Sequence, residues 1–594
     1  MKNVTSNLIG KTLSPLLAIL LCSCGQTMSS SHSKPLENTT SSETTATPTG
    51  LNDGFIDATA PFYKDAKEDF DFVAQKVADF PYGYYQDKPQ IIYMDLAFAL
   101  NYVNDGRGVE AEINGGIETI VCENGASFII DAAKNTILAH NLDYANNFSN
   151  RFGARLNLID DEAASKWTAT EGSSFHDGED VVFDLNAYSL DIVSSDGKIY
   201  IPFSIANRLS FNLTYYSPVA WNGEAFYLLN MISGAFGLDG ASNSYGQKYY
   251  SGPNSKIAKE EYFADWNYHA LLFDLDHFYG FNDERFVPFE DYLDRHHPDI
   301  VSKLRSTNED EYCDGMEYLL ETIIGDGHTN AGQATSSYGG GVTSYHGYSS
   351  ERMDAMFDKG MASYRNRIAS GHHEQIDSLR YSGSTAFLPF DSFAHSGIDF
   401  YQGGIQQASI HNQDTFALFY TAFEELKSHP EIKNVIFDIT INGGGDTNAL
   451  VGMLGFLKKD IRIDMYDPLT KGHSELHYQV DTNLDGVFDE EDSFEGEYNF
   501  YVLTSGFSFS CGNLFPDACK QNGCAKIIGQ QSGGGACAVD FVATPDGKPY
   551  RISGNFREGQ FGDPKSHRDD GVPVDIEIEP EQFYDDAYLD ALLN

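Results

Sequence analysis

Val435-Ile436-Phe437-Asp438-Ile439-Thr440-Ile441-Asn442-Gly443-Gly444-Gly445-Asp446 reads as a buried strand that runs into a glycine turn, after which Thr447 to Leu457 continue as a helix. A short apolar run closed by glycines is the pattern of a strand covered on both faces. Three successive glycines let backbone amides approach a ligand closely where a helix begins. Working outward, Ala386-Phe387-Leu388 predicts an earlier strand, Thr415 to Leu426 a helix, and Tyr501-Val502-Leu503 a later strand. Strands separated by helices specify an α/β fold with a mostly parallel sheet, in which ligands sit at the carboxyl ends of strands.

Upstream the pattern changes twice. Between 55 and 250 short apolar runs alternate with turn signals, as in Ile117-Glu118-Thr119-Ile120-Val121, Ala126-Ser127-Phe128-Ile129-Ile130 and Lys198-Ile199-Tyr200-Ile201-Pro202, which predicts a β-rich N-terminal accessory domain. From 251 to 350 the spacing is helical: Tyr268, Leu271, Leu272 and Leu275 share a face, as do Met316, Leu319, Leu320 and Ile323. That second helix stops at Gly325, a natural C-cap, so Asp326-Gly327-His328-Thr329 falls on a tight loop. The Gly-, Ser- and Tyr-rich stretch 333–350 is expected to be mobile, and the α/β core occupies 380–594.

The second strand end, Thr504-Ser505-Gly506-Phe507-Ser508-Phe509-Ser510-Cys511-Gly512-Asn513, is another turn opening a helix. Three separated segments, Gly327-His328-Thr329, Asn442-Gly443-Gly444-Gly445 and Ser508-Phe509-Ser510, come in an order that resembles the tail-specific, or C-terminal-processing, serine peptidases and the tricorn core proteases. The resemblance runs from about Lys256 to the C-terminus and leaves the N-terminal part unexplained. It implies a ClpP/crotonase-like parallel core with a helical cap, and a peptidase that acts through an acyl-enzyme on peptide or protein substrates without a catalytic cofactor.

Carried over by position, Ser510 matches the family's nucleophile. A serine hydroxyl needs an adjacent base. The tail-specific branch supplies a Lys beyond the nucleophile, but Gln531-Ser532-Gly533-Gly534-Gly535-Ala536 contains none, which favours the tricorn-like pairing with His328 as base. Its pH limb is then expected near the ordinary imidazole value of about 6.5. The resemblance puts the oxyanion hole at the amides of Cys511 and Gly444, donors worth about 3 to 4 kcal/mol of barrier each. The Ser that precedes the His in tricorn-like enzymes is Gly327 here. The family's acid falls just before a Gly-Val pair; at Gly571-Val572 the register lands on Arg568, with Asp569 and Asp570 the nearest carboxylates. A noncatalytic lipoprotein binding peptides or hydrophobic ligands is the competing reading, since retinoid-binding proteins share this fold.

The chain of 594 residues is long enough for several units, and 41% hydrophobic and 13% aromatic residues are those of a folded protein. A formal charge of -48 repels phosphate backbones, which argues against nucleic acid as a partner. Lys2 and Lys11 precede the apolar run Leu16 to Leu21, too short to span a bilayer, and Leu21-Cys22-Ser23-Cys24 resembles a bacterial lipobox. We expect a signal peptide over 1–24, lipidation at Cys24, a flexible tether over 25–54, and a cell-envelope protein outside the cytoplasm that meets the membrane through its lipid alone. The remaining Cys122, Cys313, Cys511, Cys519, Cys524 and Cys537 fit disulfides or buried thiols better than a zinc site.

One further motif stands apart. Asp481-Thr482-Asn483-Leu484-Asp485-Gly486-Val487-Phe488-Asp489-Glu490-Glu491-Asp492 carries oxygen ligands at loop positions one, three, five, nine and twelve and Gly at six, the spacing of a calcium loop. Asp481, Asn483, Asp485, the Val487 carbonyl, Asp489 and Asp492 are the candidate ligands of a structural Ca2+ in an insertion.

Overall fold

The computed structural model describes residues 54–106, 108–142, 157–286, 288–407 and 413–594. The expected leader, Cys24 and nearly all of the tether lie outside these residues. Among the described residues, no helix is long and apolar enough to cross a membrane.

The C-terminal core is a six-stranded sheet in chain order: β1 (Arg380–Ser382), β2 (Thr385–Pro389), β3 (Asn434–Asp438), β4 (Asn499–Thr504), β5 (Lys526–Gly529) and β6 (Ile576–Glu577). The β1–β2 pair is antiparallel, and every later pair is parallel. Helices α1 (Thr415–Leu426), α2 (Thr447–Leu457) and α3 (Cys511–Asn522) fall between successive strands or strand pairs. Side chains on β3 and β4 alternate between faces. Val435, Phe437 and Val502 pack under α1, α2 and α3, whereas Ile436, Tyr501 and Leu503 meet Phe583, Tyr584 and Leu589 near the C-terminus. Both faces are thus covered, which is why β3 could be an unbroken apolar run. Each helix starts at an aspartate or a polar turn: Asp414 accepts the Ala417 N–H and Asp446 the Asn448 N–H.

The N-terminal region is β-rich, as its alternation implied. A seven-stranded sheet carries a long hairpin, Phe55–Glu68 with Asp71–Tyr85, and a five-stranded antiparallel sheet runs from Val109–Asn114 to Val181–Asp184. The helical region does not form a core of its own. Leu271, Leu272, Leu275, Met316 and Leu320 share one buried cluster with Phe62, Phe80, Ile120 and Phe128 of the two sheets. The expected boundary at 250 therefore separates two patterns of secondary structure that pack as one body.

Two differences matter for the site. A second sheet, built from Cys537–Ala543, Pro549–Gly559, Ile461–Tyr466 and His473–Val480, reaches back to Thr168–Ala169 of the N-terminal region. The stretch 333–350, expected to be mobile, is instead tied down. The buried Glu317 carboxylate accepts the N–H groups of His346 and Gly347, Glu321 accepts the Tyr345 hydroxyl, and Ser336 and Ser337 are fully buried. A polar, glycine-rich composition reads as a loop, but backbone N–H groups that find buried carboxylates are as fixed as those of a helix.

Candidate active site

The turn after β4 is stapled to the end of β3 by the two serines that precede the candidate nucleophile. Ser505 Oγ donates to the Thr440 carbonyl at 2.6 Å and Ser508 Oγ to the Ile439 carbonyl at 2.7 Å, and both residues are buried. Their hydroxyls are committed to the backbone. Ser510 differs: it is half-buried, and its backbone sits at φ 57°, ψ -123°, a left-handed conformation that a side chain disfavours. Its N–H donates to the Gly534 carbonyl at 2.9 Å, and its own carbonyl accepts from Asn513 and Leu514, which starts α3. Ser510 thus occupies the N-terminal end of a helix dipole at the carboxyl end of a parallel strand.

The glycine turn after β3 lies against it. A Cβ on Gly444 would come within 2.6 Å of Ser510 Cβ and 3.1 Å of the Cys511 nitrogen, so only glycine allows the two turns to touch. The Gly444 N–H donates to Asn442 Oδ1 at 2.9 Å. In this arrangement the Gly444 N–H is engaged by the Asn442 side chain, and Gly444 also permits the close approach of the two turns. Cys511 lies at the first position of α3, with its thiol on the Gly445 carbonyl at 3.1 Å.

His328 comes from the loop after Gly325, which caps its helix at φ 52°. Asp326 shapes this loop: its carboxylate accepts the N–H of His328 and both the N–H and hydroxyl of Thr329. Arg551 clamps it from the second sheet, donating to the His328 carbonyl at 2.6 Å, while Asn330 and Arg551 exchange backbone hydrogen bonds. The imidazole is 3% exposed and packs edge-on against Phe509, the neighbour of Ser510, with ring centroids 4.8 Å apart. Neither ring nitrogen has a hydrogen-bond partner, so His328 reaches the neighbourhood of Ser510 through Phe509 and makes no hydrogen bond to the Ser510 hydroxyl. Burial first, then the Arg551 guanidinium, pushes His328 down to about 4 against the pull of Asp326 and Asp569. The depression favours the neutral imidazole, the form a general base must have before it takes a proton.

The two candidate acids separate cleanly. Asp570 is exposed, with its carbonyl on Gln531. Asp569 is buried, held between Arg352 at 2.7 Å and Arg285 at 3.1 Å, and it also accepts the N–H groups of Gly535 and Ala536. Burial would raise its pKa, but the two guanidiniums hold it below the usual carboxylate range. It braces 534–536, the same turn that receives the Ser510 N–H, rather than hydrogen-bonding His328. Asp569→Ala should therefore cost on the order of 3 kcal/mol in a denaturant titration, the low end for breaking a buried pair because both arginines keep some water. A change below about 0.5 kcal/mol would mean the clamp is not formed.

Motif matching did not mark Asp326, Arg285, Arg352 or Arg551, because each acts through a contact distant in sequence. Asp326 alone had a local signal, an Asp ahead of Gly-His-Thr that can accept their N–H groups. His395 was also missed. It is buried beside the glycine turn, 3.1 Å from Asp161 and 3.7 Å from Asp414. Burial would lower its pKa, yet these carboxylates together with Asp446 push it up to about 10. The six remaining cysteines are all free thiols. Among the described residues no group of three or more His, Cys, Asp or Glu side chains is gathered as a metal site.

Residues 402–577, which contain Ser510, the glycine turn and Asp569, match the model of peptidase family S41. These residues are a peptidase family S41 domain. His328 lies outside the matched segment. The chain also resembles solved structures at low identity. The photosystem II D1 C-terminal processing protease is 19% identical over 34% of this chain and 46% of its own, with a TM-score of 0.26. A protein from Parabacteroides merdae described as a peptidase is 19% identical over 55% of this chain and 94% of its own, TM-score 0.39. A lipoprotein from Streptococcus agalactiae is 11% identical over 55% and 96%, TM-score 0.33. The chain thus spans less than half the length of the processing protease. No curated protein is significantly similar in sequence.

Proposed function

We propose that the chain is a serine peptidase of the cell envelope, in which Ser510 attacks the scissile carbonyl, His328 takes its proton, and an acyl-enzyme is then hydrolysed. The observation that carries this reading is the backbone of Ser510: a non-glycine residue at φ 57° at the N-cap of α3, inside a family S41 domain, when the two serines before it are spent on structure. Strain of this kind persists where a side chain must project from a sharp strand-to-helix turn. The oxyanion would form at the N-terminus of α3, where the Cys511 amide and the helix dipole favour negative charge.

The neutral, buried His328 supports the role of base, and the hydrogen bond to Ser510 would form when substrate closes the site, as catalytic contacts often tighten only in the complex. Asp326 and Arg551 then act by fixing the loop, and Asp569 by holding the turn that positions Ser510. The lipid anchor at Cys24 and the extracytoplasmic location rest on the leader sequence alone. Hydrolysis of unstructured protein substrates by the full chain, and its loss on treatment with a serine-directed fluorophosphonate, is the test. Tight peptide binding without turnover would instead favour the noncatalytic reading.

A further inference from the structure

We infer that the loop Asp481–Asp492 is a Ca2+ site that fastens the N-terminal region to the S41 domain. The loop leaves the strand His473–Val480 of the second sheet, and its two ends are sealed in the protein: Asp481 is 0% exposed and Asp492 3%. Asp492 accepts the Asp489 N–H through Oδ2, but its Oδ1 is buried and makes no hydrogen bond of normal geometry. An oxygen cut off from water and left without a donor is costly, and an anionic one more so. A sealed carboxylate oxygen without a donor is what a ligand shows when its natural partner is a cation.

The rest of the loop has the ligands a hard divalent ion needs. Asn483, Asp485, the Val487 carbonyl and Asp489 follow Asp481 at the alternating positions that turn oxygen atoms inward, and Gly486 at φ 85° makes the bend at position six. Asp481 accepts the Asp485 and Gly486 N–H groups, which curls the chain back over its own carboxylate. The acidic side chains are not yet gathered around one point. Residues 485–487 are exposed, so an ion could reach the loop from solvent. A site of flexible oxygen ligands with an amide and a carbonyl among them suits Ca2+, whereas Mg2+ demands a tighter octahedron.

The loop also joins distant segments. Asp481 donates its N–H to the Trp167 carbonyl, and its carboxylate accepts the Tyr401 hydroxyl. Ion binding at Asp481 would stiffen a junction of the chain near 167, 401 and 481 and stabilise the native state by mass action. The full chain, stripped with a chelator, should bind one equivalent of Ca2+ in calorimetry and melt several degrees higher with it, while MgCl2 at matched ionic strength should do little. Asp485→Asn, an exposed change that leaves the fold intact, should weaken Ca2+ binding by roughly tenfold or more, and Asp492→Asn should do the same. No calorimetric binding by the wild-type chain, equal effects of Mg2+ and Ca2+, or an unchanged affinity in Asp485→Asn would each overturn the assignment.

Discussion

Replacing Ser510 with alanine should lower peptide turnover by about a millionfold, the scale on which removal of a nucleophile acts when the residual rate comes from binding and oxyanion stabilisation alone. Stability should barely change, since the hydroxyl supports no packing and Ser510 is half-buried. The strained backbone gives a second, independent readout. Ser510→Gly removes the Cβ that disfavours φ 57° and should be more stable than the wild type by about 1 kcal/mol while equally inactive. A glycine variant that is less stable than the alanine variant would mean that the turn is not strained. Stability gained with activity lost would link the strain to function.

The second large effect concerns His328. His328→Ala should cost nearly as much as the loss of Ser510, and the double variant should be little worse than either, because two groups that act as one unit are not additive. The pH profile discriminates further. Sequence alone set the limb near 6.5, but a sealed imidazole beside Arg551 and Arg352 has its pKa pushed down to about 4. Only the neutral ring accepts a proton, so kcat/KM should rise with pH through about 4 and be flat from about 5.5 upward. The same depression makes stability acid-sensitive. Above the unfolded value of about 6.5 the ring is neutral in both states, and as pH falls from there toward 4 the unfolded chain gains a proton that the folded one refuses. Near-normal turnover in His328→Ala, with an unchanged profile, would remove it as the base and direct attention to the buried Lys548, which sits under the His loop on the Ala331 and Ala334 carbonyls.

Much of the S41 domain was legible because its signals are local. α1 and α2 match their predicted bounds, since an N-capping aspartate and an apolar face mark a helix from within a dozen residues, and β3 was readable as a run buried on both faces. The second sheet was not, because it recruits Thr168–Ala169, some three hundred positions before the strand His473–Val480 it pairs with. The same reason hid the site's supports. Ser510 and His328 sit in recognisable turns, but Arg285, Arg352 and Arg551 gain meaning only once folding brings them to Asp569 and to the His328 carbonyl. The stretch 333–350 misled because its composition resembles a linker, whereas Glu317 supplies buried acceptors for its backbone.

The most direct test of the account is to label the full-length protein with a fluorophosphonate and map the modified peptide by mass spectrometry. A single adduct on Ser510, absent from Ser510→Ala, is expected. An adduct on another serine, or labelling of Ser510→Ala at the wild-type rate, would contradict it.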